Sequence, residues 1–125
     1  ASYLDLAWHT REEIVEDANV FEKEILQNLG LMPEIASRYR STYFAHIFAG
    51  GYSSGYYSYL WTEVLDADAF ELFKEKGLFD AETANNLKTL IYSSGNTRDL
   101  MDQYRKFRGS DPEIEPLLER RGLVD

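Results

Sequence analysis

The sequence predicts an all-α protein of about six helices joined by short turns. Three observations carry this. Apolar residues recur at spacings of three and four, as in Ile14, Ala18, Phe21, Ile25 and Leu29. Capping residues and glycines punctuate the chain at helix-length intervals. Only 43–48 alternates, and imperfectly, so it reads as an extended piece or one irregular turn.

Taken in order, residues 3–9 place apolar side chains at 3, 4, 6, 7 and 8, as at the end of a helix already under way. A chain opening inside such an element, at Ala1, reads as a piece of something longer. Thr10 with Glu13 forms a Thr-x-x-Glu capping box, predicting a helix to about Leu29, with Gly30 as its stop. Pro33 suits the first turn of a short helix carrying Ile35, Ala36 and Tyr39. Arg38 and Arg40 read as exposed or paired with acidic neighbours.

Ser53 or Ser54 caps a long helix to about Lys76, ended by Gly77. Asp80 caps the next, and 93–96 form a turn. Thr97 starts a helix to Phe107, stopped at Gly109. Asp111-Pro112 opens the last, which ends at Gly122.

The chain has 125 residues, one domain's worth, enough to bury about two thirds of its unfolded surface. A hydrophobic content of 44% argues for a packed fold. A net charge of −9 with no basic stripe argues against nucleic acid, and no apolar run is long enough to cross a membrane. With no cysteine there is no disulfide or thiolate chemistry, which suits cytoplasm or periplasm equally; a cytoplasmic location is expected, with a periplasmic one as the alternative.

The chemistry concentrates in 43–61, where a histidine, three glycines, five tyrosines and a tryptophan share nineteen positions. Buried phenols and imidazoles need hydrogen-bond partners, so crowding them is costly unless they serve a ligand. Unrolled at 100° per residue, Tyr57, Leu60, Trp61, Val64 and Leu65 form a packing stripe. Tyr56, Tyr59 and Glu63 form a separate strip that Tyr52 joins if helical geometry starts early, and Gly55 leaves room beside it. A single tyrosine of this kind is more often packing than function. The row, with His46 and Gly50-Gly51 beside it, favours a site that grips a peptide backbone or a developing oxyanion.

His46 alone is more often a satisfied core residue, and His9 reads as structural. Two histidines 37 positions apart make no zinc motif, no Gly-x-Ser-x-Gly elbow is present, and the glycine spacing is a weak phosphate signal.

The string Phe44-Ala-His46-Ile-Phe-Ala-Gly50-Gly51-Tyr52-Ser-Ser-Gly-Tyr56-Tyr57-Ser-Tyr59-Leu-Trp61 resembles the C-terminal signature of the thimet oligopeptidase-like zinc metallopeptidases. The spacing from His46 to Gly50-Gly51 resembles the bacterial peptidyl-dipeptidase (dipeptidyl carboxypeptidase) branch. The similarity continues through Leu4-Asp5-Leu-Ala-Trp8-His9, Asp66 to Phe70, Gly77 to Asp80, Ser94 to Arg98 and Phe107-Arg108-Gly109, so it covers essentially the whole chain.

The resemblance implies part of a helical peptidase that releases dipeptides from the C-terminus of oligopeptides. An endo-acting oligopeptidase, or a non-catalytic helical interaction module, remains the alternative. It implies zinc in the complete enzyme, on a His-Glu-x-x-His helix upstream of Ala1, and no metal ligand in this chain. His46, Tyr52 and Tyr59 are then the groups that hold substrate and stabilise the oxyanion while zinc polarises the carbonyl. Tyr56 matches another tyrosine near substrate, and Gly50 and Gly51 the flexible loop that adjusts around bound peptide. Arg98 is a weaker candidate for gripping a C-terminal carboxylate, since an arginine after a turn is usually a surface ion pair. Partners implied are oligopeptide and the remainder of the peptidase chain, with neither nucleic acid nor membrane. Alone, the 125-residue chain is expected to be inactive and to self-associate through Trp8, Phe21, Ile25 and the phenol row left exposed.

Overall fold

In a computed structural model, residues 1–124 are described. Among the described residues there are seven α-helices, one 3-10 turn, one π-turn segment and no strand. The chain divides into two compact units, Ala1–Tyr59 and Leu60–Asp125.

In the first unit, α1 (Ser2–Thr10) and α2 (Ala18–Asn28) frame a small core. Leu4, Phe44 and Ile47 are fully buried there, with Trp8, Ile25, Tyr39, Tyr52 and Tyr56 packed around them. The capping box at Thr10 does not form. α1 is still running at that point, and the Thr10 hydroxyl donates back to the Leu6 carbonyl at 2.8 Å. The next helix starts eight residues later, where the Asp17 carboxylate accepts from the Asn19 and Val20 amides at 2.7 and 3.1 Å. Ile14 therefore lies outside any helix and is exposed, while Phe21 reaches Trp8 with ring centroids 4.5 Å apart. Trp8 and Phe21 are half-buried against each other rather than left open.

Gly30 ends α2 with φ at 74°. The short helix expected from Pro33 is also absent, and 31–40 has no helix beyond a turn closed by Ile35 N–H to Met32 O. Competing local bonds explain this, since the Ser37 hydroxyl donates to the Tyr39 carbonyl at 2.8 Å. The segment delivers Arg40 and Ser41 to Glu22. That buried carboxylate pairs with the Arg40 guanidinium and accepts from the Ser41 amide and hydroxyl at 2.7 and 3.0 Å. Trp8 Nε1 donates to the same Ser41 oxygen at 2.9 Å. A 3-10 turn (Ser41–Tyr43) and α3 (Ala45–Phe48) follow, so the 43–48 stretch is helical rather than extended.

α4 (Ser58–Lys76) begins later than a Ser53 or Ser54 cap implies. The Ser53 hydroxyl is drawn to the Ile47 carbonyl at 2.6 Å instead of capping the helix. Gly77, at φ 121°, ends α4. The packing stripe is only partly realised: of its members Val64 is buried, against Ala67 and Leu117, and Leu65 is partly buried, whereas Tyr57, Leu60 and Trp61 are about half exposed.

In the second unit Asp80 caps α5 (Ala81–Asn86) through the Thr83 amide at 2.7 Å. A π-turn segment (Leu87–Tyr92) continues it, and Ser93 N–H reaches the Lys88 carbonyl five residues back at 2.8 Å. α6 (Leu100–Arg108) starts at an Asp99 cap rather than at Thr97 and ends at Gly109 with φ 88°. Asp111 is occupied by Arg105 at 2.6 Å and caps nothing, so α7 (Glu115–Arg120) begins later, with Pro116 in its first turn. The fully buried Asp68 accepts from Tyr104 at 2.6 Å and Arg108 at 3.2 Å, tying α6 to α4.

Candidate active-site wall

The site is built where α3 turns into α4, within the first unit. After α3 the chain must reverse within a few residues. Gly51 supplies a left-handed turn at φ 80°, and the Tyr52 amide bonds back to the His46 carbonyl at 3.0 Å. A Cβ on Gly50 would stand 2.8 Å from His46 Cα and 2.9 Å from its carbonyl oxygen, so glycine there is a requirement of space. Gly55 is different. A methyl group there would meet the Tyr52 carbonyl oxygen at an ordinary 3.6 Å, so room beside the phenol row does not fix that glycine.

Between the glycines and α4, successive turns run from Gly55 N–H to Tyr52 O, Ser58 N–H to Gly55 O and Tyr59 N–H to Tyr56 O. These turns carry helix-like spacing back from Ser58, so Tyr52, Tyr56 and Tyr59 fall on one side. Tyr52 and Tyr59 stack with centroids 5.3 Å apart at 20°, and Tyr56 meets Tyr59 at 5.0 Å. The His46 ring lies 6.1 Å from Tyr52 and 5.9 Å from Tyr56. The structure thus brings His46, Tyr52, Tyr56 and Tyr59 together, with Gly50 and Gly51 in the turn beneath His46. Tyr57 does not join them and is half exposed.

Sequence reasoning missed two contributors. Tyr39 stacks on Phe44 (4.9 Å, 10°), and its ring lies 5.0 Å from His46 and 6.3 Å from Tyr56. The guanidinium of Arg38 sits 5.4 Å over the Tyr39 ring, bringing a cation to the edge of the cluster. No local pattern around Tyr39 signals this. The second is Asp5, fully buried on α1, whose carboxylate accepts from the Ser54 and Tyr56 amides at 3.0 and 2.9 Å. Its signal was available: one carboxylate inside an otherwise apolar segment.

Two of the phenols, Tyr56 and Tyr59, are kept protonated. Burial, then the neighbouring Tyr39 phenol, push the Tyr56 hydroxyl above its ordinary range, and hydrogen bonding with Tyr52 does the same for Tyr59. Both therefore carry their protons throughout the neutral range. A cluster of neutral O–H groups beside an imidazole can donate to an oxygen that gains negative charge, without placing a fixed charge in the site.

The resemblance implies zinc, but these residues do not fit a zinc site. Among the described residues no three His, Asp or Glu side chains converge as a cage requires, and His9 is engaged by Asp5 at 2.8 Å. No helix among them is long and apolar enough to cross a membrane.

The chain is 46% identical over 127 residues to a dipeptidyl carboxypeptidase of Escherichia coli K12, an alignment covering 98% of this chain and 18% of that protein. It is 49% identical over 80 residues to oligopeptidase A of the same organism, covering 64% of this chain and 12% of that protein. Saccharolysin of Saccharomyces cerevisiae is 31% identical over 80 residues, 64% of this chain and 11% of that protein. The chain spans less than a fifth of the length of these relatives. Residues 1–123 match peptidase family M3, and the chain belongs to that family.

Proposed function

We propose that this chain supplies the substrate-side wall of a peptidase active site that releases dipeptides from the C-terminus of oligopeptides. The observation that carries the proposal is the continuous contact set of His46, Tyr52, Tyr56 and Tyr59 beside the Gly50-Gly51 turn. Similarity to a dipeptidyl carboxypeptidase over 98% of this chain supports the exo-acting assignment.

In this reading His46, Tyr52 and Tyr59 donate N–H or O–H to the scissile carbonyl oxygen as charge builds on it. Tyr56 and the two glycines shape the adjoining peptide subsite. Donors preorganised in this way help only where charge develops, which is what speeds the chemical step. The zinc of the complete enzyme, which supplies the water-activating chemistry, is held by residues outside this chain.

The similarity to oligopeptidase A favours the second reading, an endo-acting peptidase. Product analysis of the complete enzyme on a C-terminally amidated peptide separates the two. An exo-acting enzyme that grips the terminal carboxylate is expected to leave that peptide uncut while cleaving its free-acid form. Equal internal cleavage of both would contradict the exo assignment.

A non-catalytic module is tested on the isolated chain. It is expected to bind no stoichiometric zinc, to hydrolyse no peptide, and to self-associate in light scattering through half-exposed aromatics such as Tyr57 and Trp61. Zinc-dependent turnover by the 125-residue chain would overturn this division of labour.

A further inference from the structure

We propose that Asp5, braced by His9, is the positioning residue that sets the backbone carrying the phenols. The inference rests on the reading of those phenols as substrate-facing donors.

The loop's own bonds secure its two ends. Tyr52 N–H and the Ser53 hydroxyl reach back to His46 O and Ile47 O, and Ser58 N–H and Tyr59 N–H lead into α4. In its middle Gly55 N–H bonds locally to Tyr52 O at 2.8 Å, but the amides on either side of it have no partner within the loop and are held from elsewhere. Ser54 sits at φ 54°, the one non-glycine residue with positive φ among the described residues, a geometry an L side chain resists. The amides on either side of Gly55 are both taken by Asp5: Ser54 N–H donates to Oδ1 at 3.0 Å and Tyr56 N–H to Oδ2 at 2.9 Å. His9, one turn further along α1, places Nδ1 2.8 Å from Asp5 Oδ1 and 2.8 Å from the Asp5 carbonyl oxygen.

These bonds span 49 and 51 residues of sequence, so they are the tie between α1 and the loop rather than local turn chemistry. A fully buried carboxylate without donors would be strongly unfavourable, and here each oxygen takes a backbone amide. Both amides belong to the stretch between Tyr52 and Tyr59. Asp5 touches no substrate in this account. It acts through where it holds Tyr56 and, by the continuous turns, Tyr52 and Tyr59.

Asparagine at position 5 keeps the shape but turns an N–H₂ group toward one of the two amides, so it breaks one bond of the pair. The test uses the complete peptidase chain and two readouts. In the unaltered enzyme, hydrogen exchange is expected to show the Ser54 and Tyr56 amides protected well above that of Gly51. Free exchange at both overturns the inference, whatever any variant does. In Asp5→Asn, exchange at these amides is expected to rise about tenfold, as for loss of a charge-assisted bond. kcat is expected to fall by about 10²-fold with KM nearly unchanged, because the donors are misplaced while binding surface remains.

A loosened loop with unaltered kcat overturns the positioning role, and so does a fall confined to KM. Tyr59→Phe, run in parallel, separates the two readings. If Asp5→Asn fails while Tyr59→Phe is severe, the clamp alone is wrong. If Tyr59→Phe is silent, the reading of the phenols is wrong, and the clamp's catalytic role falls with it.

Discussion

Replacing Tyr59 by phenylalanine in the complete peptidase is expected to cut kcat by about 10²–10³, with KM little changed. The change removes one oxygen and keeps the ring. The stack on Tyr52 at 5.3 Å and the contact with Tyr56 at 5.0 Å both survive it, so the loss reports the hydroxyl rather than the packing. A donor used only as charge develops contributes little to ground-state binding, hence the small change in KM. Tyr57→Phe is the matched control. That phenol lies outside the cluster and is half exposed, and its variant is expected to leave turnover unchanged. Equal activity of the Tyr59→Phe enzyme and the parent would remove Tyr59 from the oxyanion site.

The second large effect is expected at Gly50. An alanine methyl there would lie 2.8 Å from His46 Cα and 2.9 Å from its carbonyl oxygen. Both are backbone atoms, so no rotamer change relieves the overlap, and either α3 or the turn must shift. His46 moves with α3, and the Tyr52 amide, bonded to that same carbonyl at 3.0 Å, moves with it. Misplacing donors by about 1 Å costs about 10²-fold in rate. Gly51, the next residue, offers a contrast. Its φ of 80° disfavours alanine by about 1–2 kcal/mol, but nothing lies within 4 Å of the added Cβ. Gly50→Ala is therefore expected to lower kcat more than it lowers the melting temperature, and Gly51→Ala the reverse. Kinetics beside thermal unfolding checks this, and equal losses in both variants would argue against a steric path to His46.

The part of the site that sequence could show was the part encoded locally. The spacing of 52, 56 and 59 put three phenols on one strip, and in the structure the three are in contact, whereas Tyr57, assigned to the packing stripe, is half exposed instead. That arithmetic worked even though α4 starts only at Ser58, because the turns before it keep nearly helical spacing. All-helical architecture was legible for the same reason, and the glycine stops at 30, 77 and 109 each adopt positive φ.

What could not be read locally was decided by competition among equivalent groups. Thr10 and Asp17 are both acceptable caps, and the outcome turned on α1 still needing Thr10 as its last residue. Ser53 had a helix to cap and a carbonyl on α3 to satisfy, and the carbonyl prevailed. Three of the five residues of the expected packing stripe stayed exposed, because periodicity names a face but not what covers it. Tyr39 joins the site through contacts in space that no spacing rule reaches, and Asp5, although its carboxylate stands out in an apolar segment, meets partners about fifty residues away that no local pattern names.

In the proposed function these phenols and His46 bind the oxygen of the tetrahedral state in preference to the substrate. A phosphinic peptide, whose tetrahedral phosphorus bears that oxygen's charge, measures this directly against the unreacted peptide of the same sequence. For wild-type, Tyr59→Phe and His46→Gln enzymes, the inhibition constant of the phosphinic peptide is expected to weaken in proportion to the fall in kcat/KM. The KM of the matched substrate should barely move. Variants that weaken substrate and phosphinic peptide equally would contradict the claim and reduce the cluster to a binding surface.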